Sequence, residues 1–246
     1  MKRLRILAGP NGSGKSSLYK QLRKVENLNL GVFVNADEIE KELQTRHIIS
    51  FDSYNISAGF QEVAEAYSYF FSSISSSCGL KDFEVIDNFL VLDKRASLGS
   101  YFASFVADFI RYKMIDSGIK TFTIETVMSH RGKLDLLKYA KERGYRVYLY
   151  FITTGNVLIN ESRVEARTMQ GGHSVSTEKV RSRYLKSLDN AFDAMMLSDR
   201  AYFFDNSGTS PELVAEFDAS RKQLLTPKGF PSWLNFYIVD KFFSHD

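Results

Sequence analysis

The chain has 246 residues, of which 44 % are hydrophobic and 25 % are charged, with a formal net charge of +3. Such a composition is typical of one large globular α/β domain with insertions, and the small net charge argues against nucleic acid as the main partner. The single cysteine, Cys78, excludes an internal disulfide and a thiolate metal site, and it suits a reducing cytoplasm. No apolar run approaches the roughly 18 residues needed to span a membrane.

The most specific pattern follows the first predicted strand, residues 4–8. Residues 9–16 read Gly-Pro-Asn-Gly-Ser-Gly-Lys-Ser, which fits G-x-x-x-x-G-K-[ST] at every fixed position. Residues 15–24 predict the helix that this motif requires after it. The spacing therefore predicts a phosphate-binding loop for a nucleoside triphosphate.

The residue types explain the chemistry of this loop. Glycines let the backbone approach phosphates closely, and the N–H groups of the loop and helix start bind anions. Lys15 is expected to reach the β- and γ-phosphates, and the Ser16 hydroxyl to ligate Mg²⁺. We expect ATP and Mg²⁺ as cofactors, held by Gly9, Pro10, Asn11, Gly12, Ser13, Gly14, Lys15, Ser16 and Ser17.

The rest of the chain alternates predicted strands with predicted helices. Strands are expected at residues 32–35, 121–125, 146–152 and 201–204, and helices at 38–44, 57–73, 98–116, 132–143, 160–169 and 177–196. This order predicts an α/β fold of the P-loop NTPase type, a nucleotide-kinase-like three-layer αβα sandwich with a parallel five-stranded sheet.

Several segments are expected to elaborate this domain, which spans residues 1–215. An insertion at about 47–115 includes a hairpin that turns at Asp87-Asn88, and a serine-rich patch covers residues 72–77. Residues 156–184 form a predicted lid. Residues 216–246 form a predicted helical extension packed on the domain, with Trp233, Phe236, Tyr237, Val239 and Phe242 on one apolar face.

Asp37 follows the second predicted strand. Ligands of parallel α/β sheets bind at the carboxyl ends of strands, so a carboxylate here is placed to accept a proton from an attacking hydroxyl. The same residue is also suited to cap the following helix, and the two roles are compatible.

Polar residues also follow the strand at 121–125. Glu125 is a candidate to hold Mg²⁺ through water or to contact the substrate, together with Thr126, Ser129 and Arg131. The alternative is that Thr126 and Ser129 only cap the helix that begins near Gly132.

Arginines are concentrated after residue 160. Arg163 and Arg167 are four residues apart on one helix, and Arg181 and Arg183 follow the predicted hinge Gly171-Gly172-His173. Arginine's planar fork suits a transferring phosphoryl group, so the pattern favours a mobile lid. The alternative is a solvated basic face paired with Glu161, Glu165 and Glu178.

The turn Asp205-Asn206-Ser207-Gly208 follows the last predicted strand. In this architecture the turn borders the nucleotide base, which makes Asn206 a candidate cofactor contact. Asn-Ser-Gly is also an ordinary turn sequence.

Taken together, these residues resemble the zeta-toxin group of P-loop kinases, in the branch of predicted ATPases. The resemblance spans residues 1–208 and rests on residues 8–17, 33–39, 122–129 and 144–152, and on the arginines from Arg163 to Arg183 with Asp-Asn-Ser at 205–207. Residues 47–115 and the C-terminal tail have no counterpart in those toxins.

The resemblance implies an ATP-dependent kinase with Asp37 as the base. It places Glu125 and Thr126 at the acceptor and Arg163, Arg167 and Arg183 on the transferring phosphoryl group. Toxins of this group phosphorylate the amino sugar of UDP-N-acetylglucosamine, so a small hydroxyl compound, with a sugar nucleotide among the candidates, is the expected acceptor. An antitoxin protein is a possible partner, but nothing in the residues indicates one.

Two other functions remain open from the sequence. The chain could be a nucleotide-dependent ATPase or switch that acts on a macromolecular partner through residues 47–115. It could also bind nucleotide without turnover, although intact Lys15 and Ser16 argue against that.

Overall fold

A computed structural model describes residues 1–72, 78–170, 175–227 and 229–244. Most of the serine-rich patch and the predicted hinge Gly171-Gly172-His173 lie outside these described residues. The chain divides into two compact units: residues 1–31 with 120–246, and residues 32–119.

Strands alternate with helices as predicted through most of the chain, but the strands Ile48–Ser50, Glu212–Asp218 and Gln223–Leu225 were not predicted. The strands are β1 (Lys2–Ala8), β2 (Val32–Val34), β3 (Ile48–Ser50), β4 (Phe83–Ile86), β5 (Phe89–Leu92), β6 (Thr121–Thr126), β7 (Tyr145–Thr153), β8 (Arg200–Asp205), β9 (Glu212–Asp218) and β10 (Gln223–Leu225). The main helices are α1 (Lys15–Leu22), α2 (Ala36–Arg46), α3 (Phe60–Phe70), α4 (Ser100–Asp116), α5 (Gly132–Glu142), α6 (Val157–Met169), α7 (Thr177–Asp189) and α8 (Ala191–Met196). Across the described ranges, no helix has the length and apolar character that crossing a membrane would require.

The first unit contains six strands of a seven-stranded sheet, in the order β10-β9-β8-β7-β1-β6. β1 pairs in parallel with β6 and β7, and β7 pairs in parallel with β8. The carboxyl ends of these four strands therefore lie along one edge of the sheet, where α/β proteins bind their ligands.

Helical segments cover both faces of these strands. On one face, Leu18 of α1 packs with Leu7, Tyr150 and Ile152. On the other face, the ring of Phe151 lies 6.4 Å from that of Trp233 in the C-terminal segment. Because successive side chains of a strand point to opposite faces, this packing gives the first unit its helix–sheet–helix layers.

The predicted five-stranded sheet is wrong in its strand number. β9 pairs antiparallel with β8, and β10 pairs antiparallel with β9, so the chain turns back along the sheet instead of entering a helix at residue 216. The predicted helix at 177–196 is interrupted at Asn190, whose Nδ2 donates to Met128 O at 2.9 Å. Helical turns do follow at residues 232–244, with Trp233 and Phe242 buried and Phe236 exposed.

The second unit has its own small sheet, in the order β3-β5-β4. The predicted hairpin is confirmed: β4 and β5 pair antiparallel around Asp87 and Asn88, both of which have positive φ. Aromatic rings fill the core beside it, and Tyr67 meets Phe105 edge-on at 5.5 Å. This unit therefore has a hydrophobic core of its own.

Cys78 is fully buried in the second unit, where burial and the charge of Asp82 raise the pKa of its thiol to about 12. At pH 8 only about one thiol in ten thousand would be ionised, and the thiolate is the reactive form. We expect iodoacetamide to modify native Cys78 at least about 1000-fold more slowly than the unfolded chain. Mass spectrometry of timed samples measures both rates, and rapid labelling of the native protein would contradict the burial of this side chain.

Candidate active site

The loop between β1 and α1 depends on glycine at three positions. Gly9, Gly12 and Gly14 all have positive φ, at 146°, 75° and 99°. A Cβ on Gly9 would lie 1.9 Å from Ile152 O, and one on Gly12 would lie 2.4 Å from Asn160 O. Neighbouring backbone thus encloses the loop tightly, and a side chain at Gly9 or Gly12 would displace the loop.

Lys15, the first residue of α1, turns back over this loop. Its Nζ donates to Gly9 O at 2.9 Å and to Pro10 O at 3.1 Å, and lies 3.9 Å from Glu125 Oε1. Lys15 and Glu125 are both largely buried. The sequence predicted each residue separately, and the structure places their charges side by side at the carboxyl ends of β1 and β6.

Asn160 of α6 holds the loop from one side. Its Nδ2 donates to Asn11 O at 2.6 Å, and its Oδ1 accepts from Thr154 Oγ1 at 2.5 Å. Tyr184 of α7 donates to Thr154 O at 2.6 Å, and burial raises the pKa of this phenol, which keeps it a neutral donor. Hydrogen bonds therefore run from α7 through Thr154 and Asn160 to the loop.

Asn206 holds the loop from another side. Its Nδ2 donates to Ser13 O at 2.8 Å, and a Cβ on Gly14 would lie 2.3 Å from that nitrogen. Arg163 of α6 donates to Asn206 O at 2.9 Å and to Gly208 O at 3.3 Å. Asn206 is thus a structural support of the glycine loop, and Arg163 ties α6 to the turn that carries it.

The C-terminal segment reaches the same turn. Trp233 Nε1 donates to Asp205 Oδ2 at 2.6 Å, while Asp205 Oδ1 accepts from Ser207 N at 2.8 Å. Ser207 Oγ in turn accepts from Gly155 N at 2.7 Å. The segment after residue 230 therefore fixes the shape of the turn that contacts the loop.

The side chains present fit an Mg²⁺–nucleotide. Two buried oxygens of the loop, Asn11 Oδ1 and Ser13 Oγ, have no hydrogen-bond partner among the described residues. The Ser16 hydroxyl is exposed at the start of α1, and Glu125 adds a carboxylate. Oxygen ligands of this kind are what Mg²⁺ prefers, and Gly9, Gly12 and Gly14, which have no Cβ, leave room for phosphates beside the loop backbone.

The remaining acceptor-side candidates lie in different surroundings. Asp37 is exposed in the first turn of α2 in the second unit, and the cap of that helix is Asn35, whose Oδ1 accepts from Asp37 N at 2.9 Å. Capping by Asp37 itself is therefore wrong. Thr126 Oγ1 accepts from Met128 N at 3.2 Å, so Thr126 stabilises a turn rather than capping α5. Ser129 is half-buried after that turn, and Arg131 forms an exposed ion pair with Asp193.

The other arginines of the predicted lid lie on α6 and α7. Arg181 forms a two-pronged ion pair with Glu161, at 2.5 and 3.2 Å, which joins α7 to α6. Glu161 was the alternative partner that the sequence suggested for this face. Arg167 is exposed on α6, and Arg183 is half-buried on α7.

Sequence reasoning missed Asn160 and Trp233 as supports of this site. Asn160 was placed only at the start of a helix, although α6 begins at Val157 and buries Asn160 completely. A polar residue after Val157-Leu158-Ile159 was the available signal, because a buried amide needs hydrogen-bond partners. The partners themselves, Asn11 and Asp205, are far from these residues in the sequence.

Comparison with known proteins supplies one partial sequence relative. No family model matches the chain. A stretch of 63 residues is 36 % identical to an uncharacterized protein of Haemophilus influenzae, and it covers 26 % of this chain and 45 % of that protein. The chain thus matches less than half the length of this relative.

Similar solved structures cover nearly the whole chain. AvrRxo1-ORF1 with AvrRxo1-ORF2 and sulphate ions has a TM-score of 0.54 at 14 % identity, over 93 % of this chain and 62 % of that one. The same pair with ATP has a TM-score of 0.53 at 14 % identity, over 92 % and 60 %. The PezAT toxin–antitoxin system of Streptococcus pneumoniae has 0.52 at 12 %, over 99 % and 84 %. The chain spans about three-fifths of the AvrRxo1-ORF1 structures, and it shares with these proteins an α/β fold, here with a mainly parallel sheet.

Proposed function

We propose that the chain is an ATP-dependent phosphotransferase that moves the γ-phosphoryl group to a hydroxyl of a small molecule. The observation that carries this proposal is the glycine loop, enclosed by Asn160 and Asn206, with Lys15 beside Glu125. A related fold has been solved with ATP, which supports ATP as the donor.

In this reaction the loop N–H groups and Lys15 hold the triphosphate and neutralise its charge. Ser16, together with Glu125 through water, would hold Mg²⁺, which would supply further charge neutralisation. Asp37 accepts the proton of the acceptor hydroxyl, and Arg163, Arg167 and Arg183 stabilise the transferring phosphoryl group. Catalysis then rests on positioning and electrostatics rather than on covalent chemistry by the protein.

The acceptor class is proposed as a sugar nucleotide or another small hydroxyl compound. A screen of metabolite extracts with labelled ATP, followed by mass spectrometry of the labelled product, identifies it. If no extract yields a labelled product, the small-molecule kinase proposal fails.

Once the acceptor is identified, the Asp37→Asn variant tests whether Asp37 is the general base. We expect transfer to fall by about 100-fold while ATP binding is unchanged, because general-base catalysis contributes at least that factor and the amide retains the shape of the side chain. Glu65→Gln, which removes the same charge from an exposed position on α3, serves as the control. If Asp37→Asn transfers phosphate as fast as Glu65→Gln, Asp37 is not the base.

A second candidate function is a nucleotide-dependent ATPase or switch that binds a macromolecular partner. It is favoured by the exposed apolar side chains of the second unit, where Tyr69 is 84 % and Ile86 51 % exposed. Solved structures of similar fold contain a partner chain, as in the AvrRxo1-ORF1:AvrRxo1-ORF2 complex, which supports an antitoxin-like partner. Pull-downs with and without ATP separate this candidate from the kinase, since only a switch captures its partner in an ATP-dependent way.

A further inference from the structure

A buried cation lies in the middle of β1. The side chain of Arg5 is almost fully enclosed, with 5 % of the residue exposed, and its Nε and Nη1 have no hydrogen-bond partner among the described residues. A guanidinium stays charged at any physiological pH. Because an uncompensated buried charge strongly destabilises a folded protein, this arrangement calls for an anion.

Other cations and aromatic rings share the sheet face of Arg5. The strand register places Arg3 beside Arg146 and Arg5 beside Tyr148, whose ring centroid lies 5.4 Å from Arg5 Cζ. Alternate residues of a strand point to the same face, so the three arginines lie on one face of the sheet, Arg3 and Arg146 at the starts of β1 and β7 and Arg5 at the middle of β1. Within the described ranges, no carboxylate lies in ion-pair distance of Arg3, Arg5 or Arg146.

Neighbouring groups on this face do not supply the missing negative charge. Burial raises the pKa of the Tyr150 phenol more than the nearby charge of Arg5 lowers it, so this phenol is neutral. The two carboxylates of Glu216 and Asp218 pair with Arg200, at 2.5 and 3.0 Å. Glu125 faces Lys15.

We propose that Arg3, Arg5 and Arg146 form a binding site for a small phosphate-bearing anion, with the half-exposed rings of Tyr148 and Tyr202 beside it. The site is separate from the glycine loop, because Arg5 precedes Gly9 by four residues of extended strand, about 13 Å. Lysine and arginine outnumber aspartate and glutamate in the first unit, which further favours anions.

Thermal unfolding of the full chain with pyrophosphate tests the site. Measurements use the Lys15→Ala variant, which removes the cation of the glycine loop and so weakens phosphate binding there, at constant ionic strength. We expect the melting temperature to rise with pyrophosphate and to saturate. Adding Arg5→Met should weaken pyrophosphate binding at least about 10-fold, since charge-assisted hydrogen bonds are lost. The same substitution should raise the melting temperature of the protein without ligand, because it removes a buried charge.

The control is Lys138→Met, which removes one positive charge from an exposed position on α5. A saturating response that Arg5→Met removes and Lys138→Met leaves intact supports the site. Absence of a saturating response, or an equal response in both variants, overturns it. If Arg5→Met does not fold, the Arg3→Met, Arg146→Met double variant decides by the same criterion, because these side chains are more exposed. A negative result in this experiment does not bear on the proposed kinase activity, since the variants tested already lack Lys15.

Discussion

Gly9→Ala is expected to weaken ATP binding by at least about 1000-fold. The residue has φ of +146°, and its Cβ would lie 1.9 Å from the carbonyl oxygen of Ile152 in β7. Because the carbonyl belongs to the backbone and a Cβ cannot rotate away from its own Cα, the loop must move, and its N–H groups no longer point at the phosphates. Each such charge-assisted hydrogen bond contributes about 2 kcal/mol, so the loss of two accounts for the expected factor.

The matched control is Gly208→Ala. Gly208 lies in the turn that contacts the loop, but a Cβ there would meet nothing within 4 Å. Isothermal titration with ATP should give the parent affinity for this variant, and circular dichroism should show that both variants are folded. Parent-like ATP affinity in Gly9→Ala would mean that the enclosed geometry of the loop is not required for binding.

Asn160→Asp is expected to lower the free energy of unfolding at pH 7 by about 3–5 kcal/mol. The substitution keeps the shape of a fully buried side chain but replaces the amide that donates to Asn11 O with a carboxylate. Burial would raise the pKa of this new carboxyl in the folded state above its unfolded value of about 3.9. The loss of unfolding free energy should therefore be small at pH 4, and it should grow as the pH rises from the unfolded-state pKa toward the folded-state pKa.

Asn156→Asp is the matched control, on the same helix and only four residues earlier. Asn156 is the exposed cap of α6, where its Oδ1 accepts from Leu158 N at 2.9 Å, and aspartate caps helices equally well. Urea unfolding at pH 4 and pH 7 compares the two variants. Equal stability of both at pH 7 would contradict the support of the glycine loop by Asn160.

Local patterns predicted the first part of the site because its chemistry is contiguous in sequence. The motif at residues 9–16 carries its own strand and helix, and the structure places both where the spacing requires. Glu125 was predicted from its position at the end of a strand, and it lies beside Lys15. Asp37 was predicted on the same grounds, and its catalytic role stays a prediction.

Contacts between segments that are distant in the sequence could not be predicted from local patterns. Asn160, Asn206 and Trp233 support the site through partners up to 193 residues away, and such pairs leave no local pattern. β9 was missed because Glu212 and Glu216 interrupt its apolar residues, and its turn into β10 carries no Asn-Gly or Gly-Gly signal. Tertiary pairing to β8, rather than local preference, makes this segment a strand.

β10 also limits how a second protein can associate with the sheet. The strand has only three residues, begins after Lys222 with φ of +47°, and is followed by Pro227. An unpaired strand edge is the usual template for adding a foreign strand, and short edges with a neighbouring proline resist this. A partner peptide would find too little free backbone here to extend the sheet, so recognition on this side must use side chains rather than β-augmentation.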